Sequence, residues 1–214
     1  MDEKNQDTQL NQTAGLTTTR IEALSDGVFA IAMTILVLDF LIPTNLNPEE
    51  LIKNLAHLWP HFIAYYLSFI ALGIFWVSHS TQFYWIKRSN RSFLWLNIYF
   101  LLFIALIPFS TLILGEYSTQ EIAIAIYGLN LIICAIFLNF QWNYATKRNK
   151  LTSNNLSHST VRLIKMRTWF AIILYAVAIL FSPISTTISI VIFLIGQVLA
   201  IIPYKKLDKL LISA

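Results

Sequence analysis

Arg20, Glu22, Ser25 and Asp26 stand at the head of a stretch that is otherwise apolar, GVFAIAMTILVL from residue 27 to residue 38. A charged side chain in the hydrocarbon region of a membrane is costly unless paired, so these groups call for partners. Two candidates are in view for Asp26: Arg20 on the same helix, and His79 in the later stretch Trp76-Val77-Ser78-His79. An aspartate and a histidine inside a membrane can relay protons, which would make the chain a secondary transporter. The same groups, with Trp76 packed against them, can instead form a polar clamp that only fixes how helices pack. His57 and His61 are four residues apart and would share a helix face, a spacing that can chelate a metal. No adjoining carboxylate or cysteine completes a ligand set, and Trp59 and Tyr65 mark an interfacial belt where histidine is comfortable. No metal or other cofactor is therefore expected. Gly-x-Ser-x-Gly, a phosphate-cradling glycine loop and paired catalytic carboxylates do not occur, so an enzyme is not expected.

The elements that must position these groups are set by composition. Of 214 residues, 57% are hydrophobic and 12% charged, and the mean hydropathy is +0.63. That excludes a soluble domain with an ordinary charged surface. A helix needs about 20 apolar residues to cross hydrocarbon, and six runs qualify: residues 20–42, 58–86, 92–114, 121–144, 168–182 and 185–203. The last two are separated by a tight hairpin at Ser182, Pro183, Ser185, Thr186 and Thr187. The alternation that a β-barrel strand requires is absent from these runs. The fold class expected is an all-α membrane protein with six transmembrane helices. The bilayer is its surroundings.

Fourteen of the fifteen lysines and arginines fall on one side of these spans, with Lys53 alone on the other. Basic loops resist translocation, so both termini are expected in the cytoplasm. The net charge of +4 is then a topological signal and not a nucleic-acid footprint. Residues 1–19 are a polar tail without a basic segment leading into an apolar core, so no cleavable signal is expected. Residues 20–203 form the six-helix membrane domain, and residues 204–214 a second tail. Residues 145–167, rich in Ser, Asn and Lys, are read as a solvated linker in preference to a short amphipathic helix at residues 161–166. Cys134, the one cysteine, is a packing residue.

On a wheel at 100° per residue, Leu24, Ile31, Ile35, Leu38 and Ile42 fall within about 60° of one another. Ala23, Gly27, Ala30 and Thr34 flank them as a strip of small side chains that would admit a second backbone. Glu22, Ser25 and Asp26 point roughly the other way. Such a branched stripe can face lipid, a protein core or a pore, and periodicity alone does not choose. Asp39 at the far end of this helix, with Glu49, Glu50, Glu116 and Glu121 in the outward loops, would concentrate cations there or serve only loop solubility.

Arg20, three residues, Leu24-Ser25-Asp26, three more, then Ala30 resembles the Arg-x3-Phe-Ser-Asp-x3-Ala signature that opens the first helix of the transmembrane protein 175 family of potassium channels. The continuation GVFAIAMTILVLDF and the later Phe75-Trp76-x2-His79 are similar to its prokaryotic branch. Leu24 stands where the family has Phe. The resemblance implies a homotetramer in the plasma (inner) membrane of a prokaryote, with the first helix of each subunit lining a central pore. Potassium is then the permeant ion, passing without the carbonyl filter of other potassium channels. Carried onto this chain, the constriction falls at Ile31, Ile35 and Leu38, with Thr34 as a hydroxyl ring. Arg20, Ser25, Asp26, Trp76 and His79 become the bracing network.

Overall fold

The computed structural model describes residues 18–40, 43–147, 151–153 and 156–201. Ile42, the two tails beyond these limits, Arg148, Lys150 and the three lysines that follow residue 203 lie outside them. Helix α1 (Thr18–Ile35) tightens into a 3-10 turn (Leu36–Asp39). Then come α2 (Pro48–His57), α3 (Trp59–Trp85), α4 (Arg91–Ala105), α5 (Ile107–Glu116), α6 (Glu121–Thr146), α7 (His158–Phe181) and α8 (Thr186–Ile201). Among the described residues, five stretches are long and apolar enough to cross a membrane: Thr18–Asp39, Trp59–Trp85, Arg91–Glu116, Glu121–Thr146 and His158–Phe181. The sixth apolar helix, α8, has 16 residues. The chain is thus an all-helical, multi-pass membrane protein.

The third span is two helices because Pro108 lies in the first turn of α5. Proline has no N–H to donate and its ring crowds the carbonyl four residues earlier, so the ladder breaks at Leu106. Helix α2 is an element that hydropathy does not reveal. It starts at a capping box, with the Asn47 side chain accepting from the Glu50 amide and the Glu50 carboxylate accepting from the Asn47 amide. It ends at Leu58, so His57 and His61 sit on different helices and the shared face required for chelation does not exist. His57 is exposed.

The solvated-linker reading of residues 145–167 is corrected. Helix α6 continues through Thr146, Leu151 and Thr152 are buried, and α7 begins at His158 with the Ser157 hydroxyl capping the Thr160 amide. Ile86 and Thr152 form an antiparallel bridge, with the amides of Lys87 and Arg88 both donating to the Leu151 carbonyl. The cause is apolar: Leu151 and Ile164 join Ile21, Phe83, Ile86, Phe93 and Trp142 in a small core that closes the basic end of the bundle.

The main core runs through the spans, from Phe29 and Leu36 of the first to Tyr175 of α7 and Phe193 of α8. Lipid is as apolar as leucine, so close packing and interhelical hydrogen bonds must hold such a bundle. Both are present. A Cβ on Gly196 would collide with Leu174, and one on Gly128 with Ile179, so α8 and α6 approach α7 closely where glycine stands. Gln197 donates to the Leu67 carbonyl at 2.7 Å, and Thr111 to the Ser68 hydroxyl at 2.7 Å. Cys134 is buried in the same core.

Candidate functional site

Helix α1 divides lengthwise. Ile21, Ser25, Phe29, Ala32 and Leu36 recur every three to four residues and are buried against α3 and α4. The opposite face is open: Ile31 is 60%, Ile35 45% and Leu38 68% exposed, with Leu24 and Val37 also exposed. The small strip is open as well. Ala23, Gly27, Ala30 and Thr34 are exposed, and a Cβ added at Gly27 would meet nothing within 4 Å. The Thr34 hydroxyl donates back to the carbonyls of Ala30 (2.9 Å) and Ile31 (3.0 Å). Its single proton is thereby engaged, and its oxygen is left outward as an acceptor, the polarity a cation seeks.

Behind the open face lies a polar network joining three helices. Ser25 donates to the Ile21 carbonyl at 2.8 Å and accepts from the Asn97 amide nitrogen at 3.2 Å. The Asn97 carbonyl oxygen faces His79 Nε2 at 3.0 Å, so that nitrogen carries the proton and donates. The His79 ring is stacked between Phe83 and Phe100, with centroids at 4.3 Å and 5.5 Å. Ser25, His79 and Asn97 are all buried. Asp26 is outside this chain of bonds, exposed on α1, where it accepts from the Trp76 indole at 2.8 Å.

Two expectations are thereby corrected. Asp26 is bonded by Trp76 and not by Arg20 or His79, and the wheel's grouping of Ser25 with Asp26 does not hold. The reason is geometric: neighbours on a helix diverge by 100°, so at the edge of the buried face Ser25 turns in and Asp26 turns out.

At the other end of α1, Asp39 is not a free carboxylate. Its oxygen lies 3.3 Å from His61 Nδ1, while His61 Nε2 is 3.5 Å from Glu116, and the Asp39 side chain is only 12% exposed. A Cβ at Gly115 would fall 2.8 Å from His61 Nδ1, so glycine is what lets α5 approach the imidazole.

Residues 20–108, from the head of α1 into the first turn of α5, match the family described as endosomal/lysosomal potassium channel TMEM175. A protein of Chamaesiphon minutus described as a potassium channel is 34% identical over 178 residues, covering 81% of this chain and 88% of the relative. One of Streptomyces collinus, described in the same way, is 34% identical over 152 residues, covering 69% of this chain and 74% of the relative. The chain belongs to the TMEM175 family. The crystal structure of a lysosomal potassium-selective channel TMEM175 homolog from Chamaesiphon minutus superposes with a TM-score of 0.76 at 31% identity, over 86% of this chain and 95% of that one. The TMEM175 family is one of ion channels, not enzymes.

Within this TMEM175 chain, the departure of Leu24 from the family's Phe falls on the open face of α1 and leaves the protomer core untouched. The residue that sequence reasoning missed is Asn97. Its signal was present: an amide inside FLWLNIYFLLF has no water to bond and must meet a partner from another helix. Gln82, Gln141 and Gln197, all buried in α3, α6 and α8, carry the same signal.

Proposed function

We propose that the chain is a potassium-permeable cation channel of the prokaryotic plasma membrane, a homotetramer with α1 of each subunit around a central pore. Six spans cross the bilayer, α8 being the sixth, with both termini cytoplasmic. Ile31, Ile35 and Leu38 form the constriction, Thr34 a hydroxyl ring beside it, and Ser25, His79 and Asn97 hold α1 from behind. The observation that carries this reading is the open aliphatic face of α1 backed by a buried polar network. A stripe serving only the protomer's own core would be covered, and the exposed small strip of Ala23, Gly27, Ala30 and Thr34 beside it offers a second backbone a close approach that a lipid-facing helix does not require. The relatives described as potassium channels support the permeant ion.

The physical device is an apolar constriction. Ile31 to Leu38 spans about 10 Å of axis, and a narrow gap lined by aliphatic rings empties of water until the helices move apart. Ions pass passively once it wets. Without a carbonyl cage, selectivity rests on the cost of stripping water and on the Thr34 oxygens, so the preference for potassium over sodium is modest. Asp39, braced by His61, adds negative charge at the outer mouth. A proton relay between Asp26 and His79 lacks its link, because Asp26 accepts from Trp76 on the exposed edge of α1 while His79 Nε2 faces Asn97 and Ser25 in the interior.

Planar-bilayer recording of the purified full chain in a potassium gradient tests this directly. Unitary currents reversing on the potassium side of zero are expected; substrate-coupled proton movement without unitary currents would overturn the channel. Assembly is tested separately by Gly27→Leu. The added side chain meets nothing in the protomer, so helical content and protomer stability should hold while the tetramer dissociates on size exclusion. A Gly27→Leu tetramer as robust as wild type would remove the small strip from the subunit contact.

A further inference from the structure

At the basic end of the bundle, α3, α6, α7 and α8 enclose a cavity of about 640 Å³ to which α1 contributes nothing. Its walls are mainly apolar, with Phe75, Leu138, Ala171 and Tyr175 among them, and Arg167 stands in its lining. The size is within the ~300–1,000 Å³ of small-molecule sites. A second, smaller groove of about 430 Å³ runs over the outer face of α7, between Arg162, Lys165, Trp169 and Ile173. The two share Met166 and Phe170 as a common wall. No acidic residue lines either.

We infer that this pair of cavities is a binding site for an anionic diacyl phospholipid, whose two chains lie on either side of the Met166 and Phe170 wall and whose phosphate is held by Arg167, with Arg162 and Lys165 on the neighbouring face of α7 adding positive potential. The shape calls for two apolar tails joined at one end. The charge identifies that end. Three basic groups within two turns of α7 sit where the apolar lining gives way, the level at which headgroups meet a membrane protein. The Arg167 guanidinium is half-buried and donates to the Ala200 carbonyl at 2.7 Å, which anchors it across α7 and α8. A guanidinium has five N–H donors in a planar fork, so that bond leaves donors for phosphate oxygens. A zwitterionic lipid of the same chains would fill the cavities but bring its own cation to the arginine. The site shares no residue with the proposed constriction, and its test does not depend on ion conduction.

Delipidated full-length protein in detergent is titrated by native mass spectrometry with dioleoylphosphatidylglycerol and, separately, dioleoylphosphatidylcholine. Phosphatidylglycerol should bind about tenfold more tightly, the difference expected when one charge-assisted contact is gained. Arg167→Gln should abolish that preference while Arg167→Lys retains most of it. Ala171→Phe, which fills the larger cavity, should weaken both lipids. Circular dichroism and elution volume confirm that each variant folds, and Arg167→Lys keeps the test decisive if Arg167→Gln does not. Equal binding of the two lipids would overturn the inference. So would unchanged binding in both Arg167→Gln and Ala171→Phe, full competition by glycerol 3-phosphate, or subunit cross-links formed through Trp169→Cys, exposed on the smaller groove, which would place a neighbouring copy on the site.

Discussion

Ile31→Asn is expected to raise the resting potassium current by about tenfold or more and to leave the protomer folded. The side chain is 60% exposed on the open face of α1, so its loss removes little packing within the protomer and opens no cavity. In the proposed tetramer its effect is on water in the gap between subunits. Burying an aliphatic side chain of this size is worth about 2 kcal/mol, and a symmetric assembly presents one copy per subunit at the same level. An amide ring offers water hydrogen bonds where the isoleucine ring offers none, so the wetted state gains relative to the empty one. Each 1.4 kcal/mol removed from that barrier is a factor of ten in rate. The same substitution at Phe29, on the buried face two residues earlier, should instead destabilise the fold, because Phe29 is 1% exposed and touches Phe100 at 6.0 Å between centroids. Single-channel recording and thermal melting of both variants separate the two cases. Unchanged conductance in Ile31→Asn would remove this residue from the conduction path.

The parts of this chain that were legible beforehand are those governed by hydropathy and periodicity. The lengths of the first four spans and the Ser182 hairpin follow from transfer free energy, which is nearly additive along a sequence, whereas the fifth span begins at His158, ten residues before its apolar run. The aliphatic stripe of α1 follows from a 100° rotation per residue, and its separation from Phe29 and Leu36 is visible in the spacing. What stayed hidden depends on pairing between distant residues. Helix α2 is short and its signal is a capping box, which a hydropathy reading passes over. The stretch around Leu151 looked like a linker because its polar residues dominate the count, whereas its buried apolar anchors, Leu151 and Ile164, decide its position. The partner of Asp26 was sought among cations, by charge. An indole N–H reached it first, because Trp76 lies on the side of α3 that faces the outward edge of α1, while His79 lies one turn further along and faces inward. The cavity beside Arg167 has no sequence signature at all, since its walls come from four helices and its shape from where side chains stop.

Asn97→Leu is expected to cost about 2 kcal/mol and to loosen α1, although the replacement is nearly isosteric and more apolar. Membrane burial ought to favour leucine over asparagine by transfer alone. The network reverses the sign. With the amide gone, the His79 Nε2 proton loses its acceptor at 3.0 Å and the Ser25 oxygen its donor at 3.2 Å, which leaves the two only their own long contact of 3.5 Å. Both groups sit where water cannot replace them, at 2% and 0% exposure. Interhelical hydrogen bonds in bilayers average only ~0.6 kcal/mol, but a polar group left without a partner costs about 1–3 kcal/mol. The orphaned groups therefore decide the outcome. Removing them as well should restore stability: Ser25→Ala, His79→Phe and Asn97→Leu together replace every member by an apolar side chain of similar shape. That combination is expected to come within about 1 kcal/mol of wild type. Denaturation in detergent measures the cycle, and strictly additive losses across the three substitutions would show that the residues do not act as one unit. Conductance supplies the second reading. If the network holds the constriction from behind, Asn97→Leu alone should raise channel leak, and the apolar triple variant should return it toward the wild-type level because α1 is again seated.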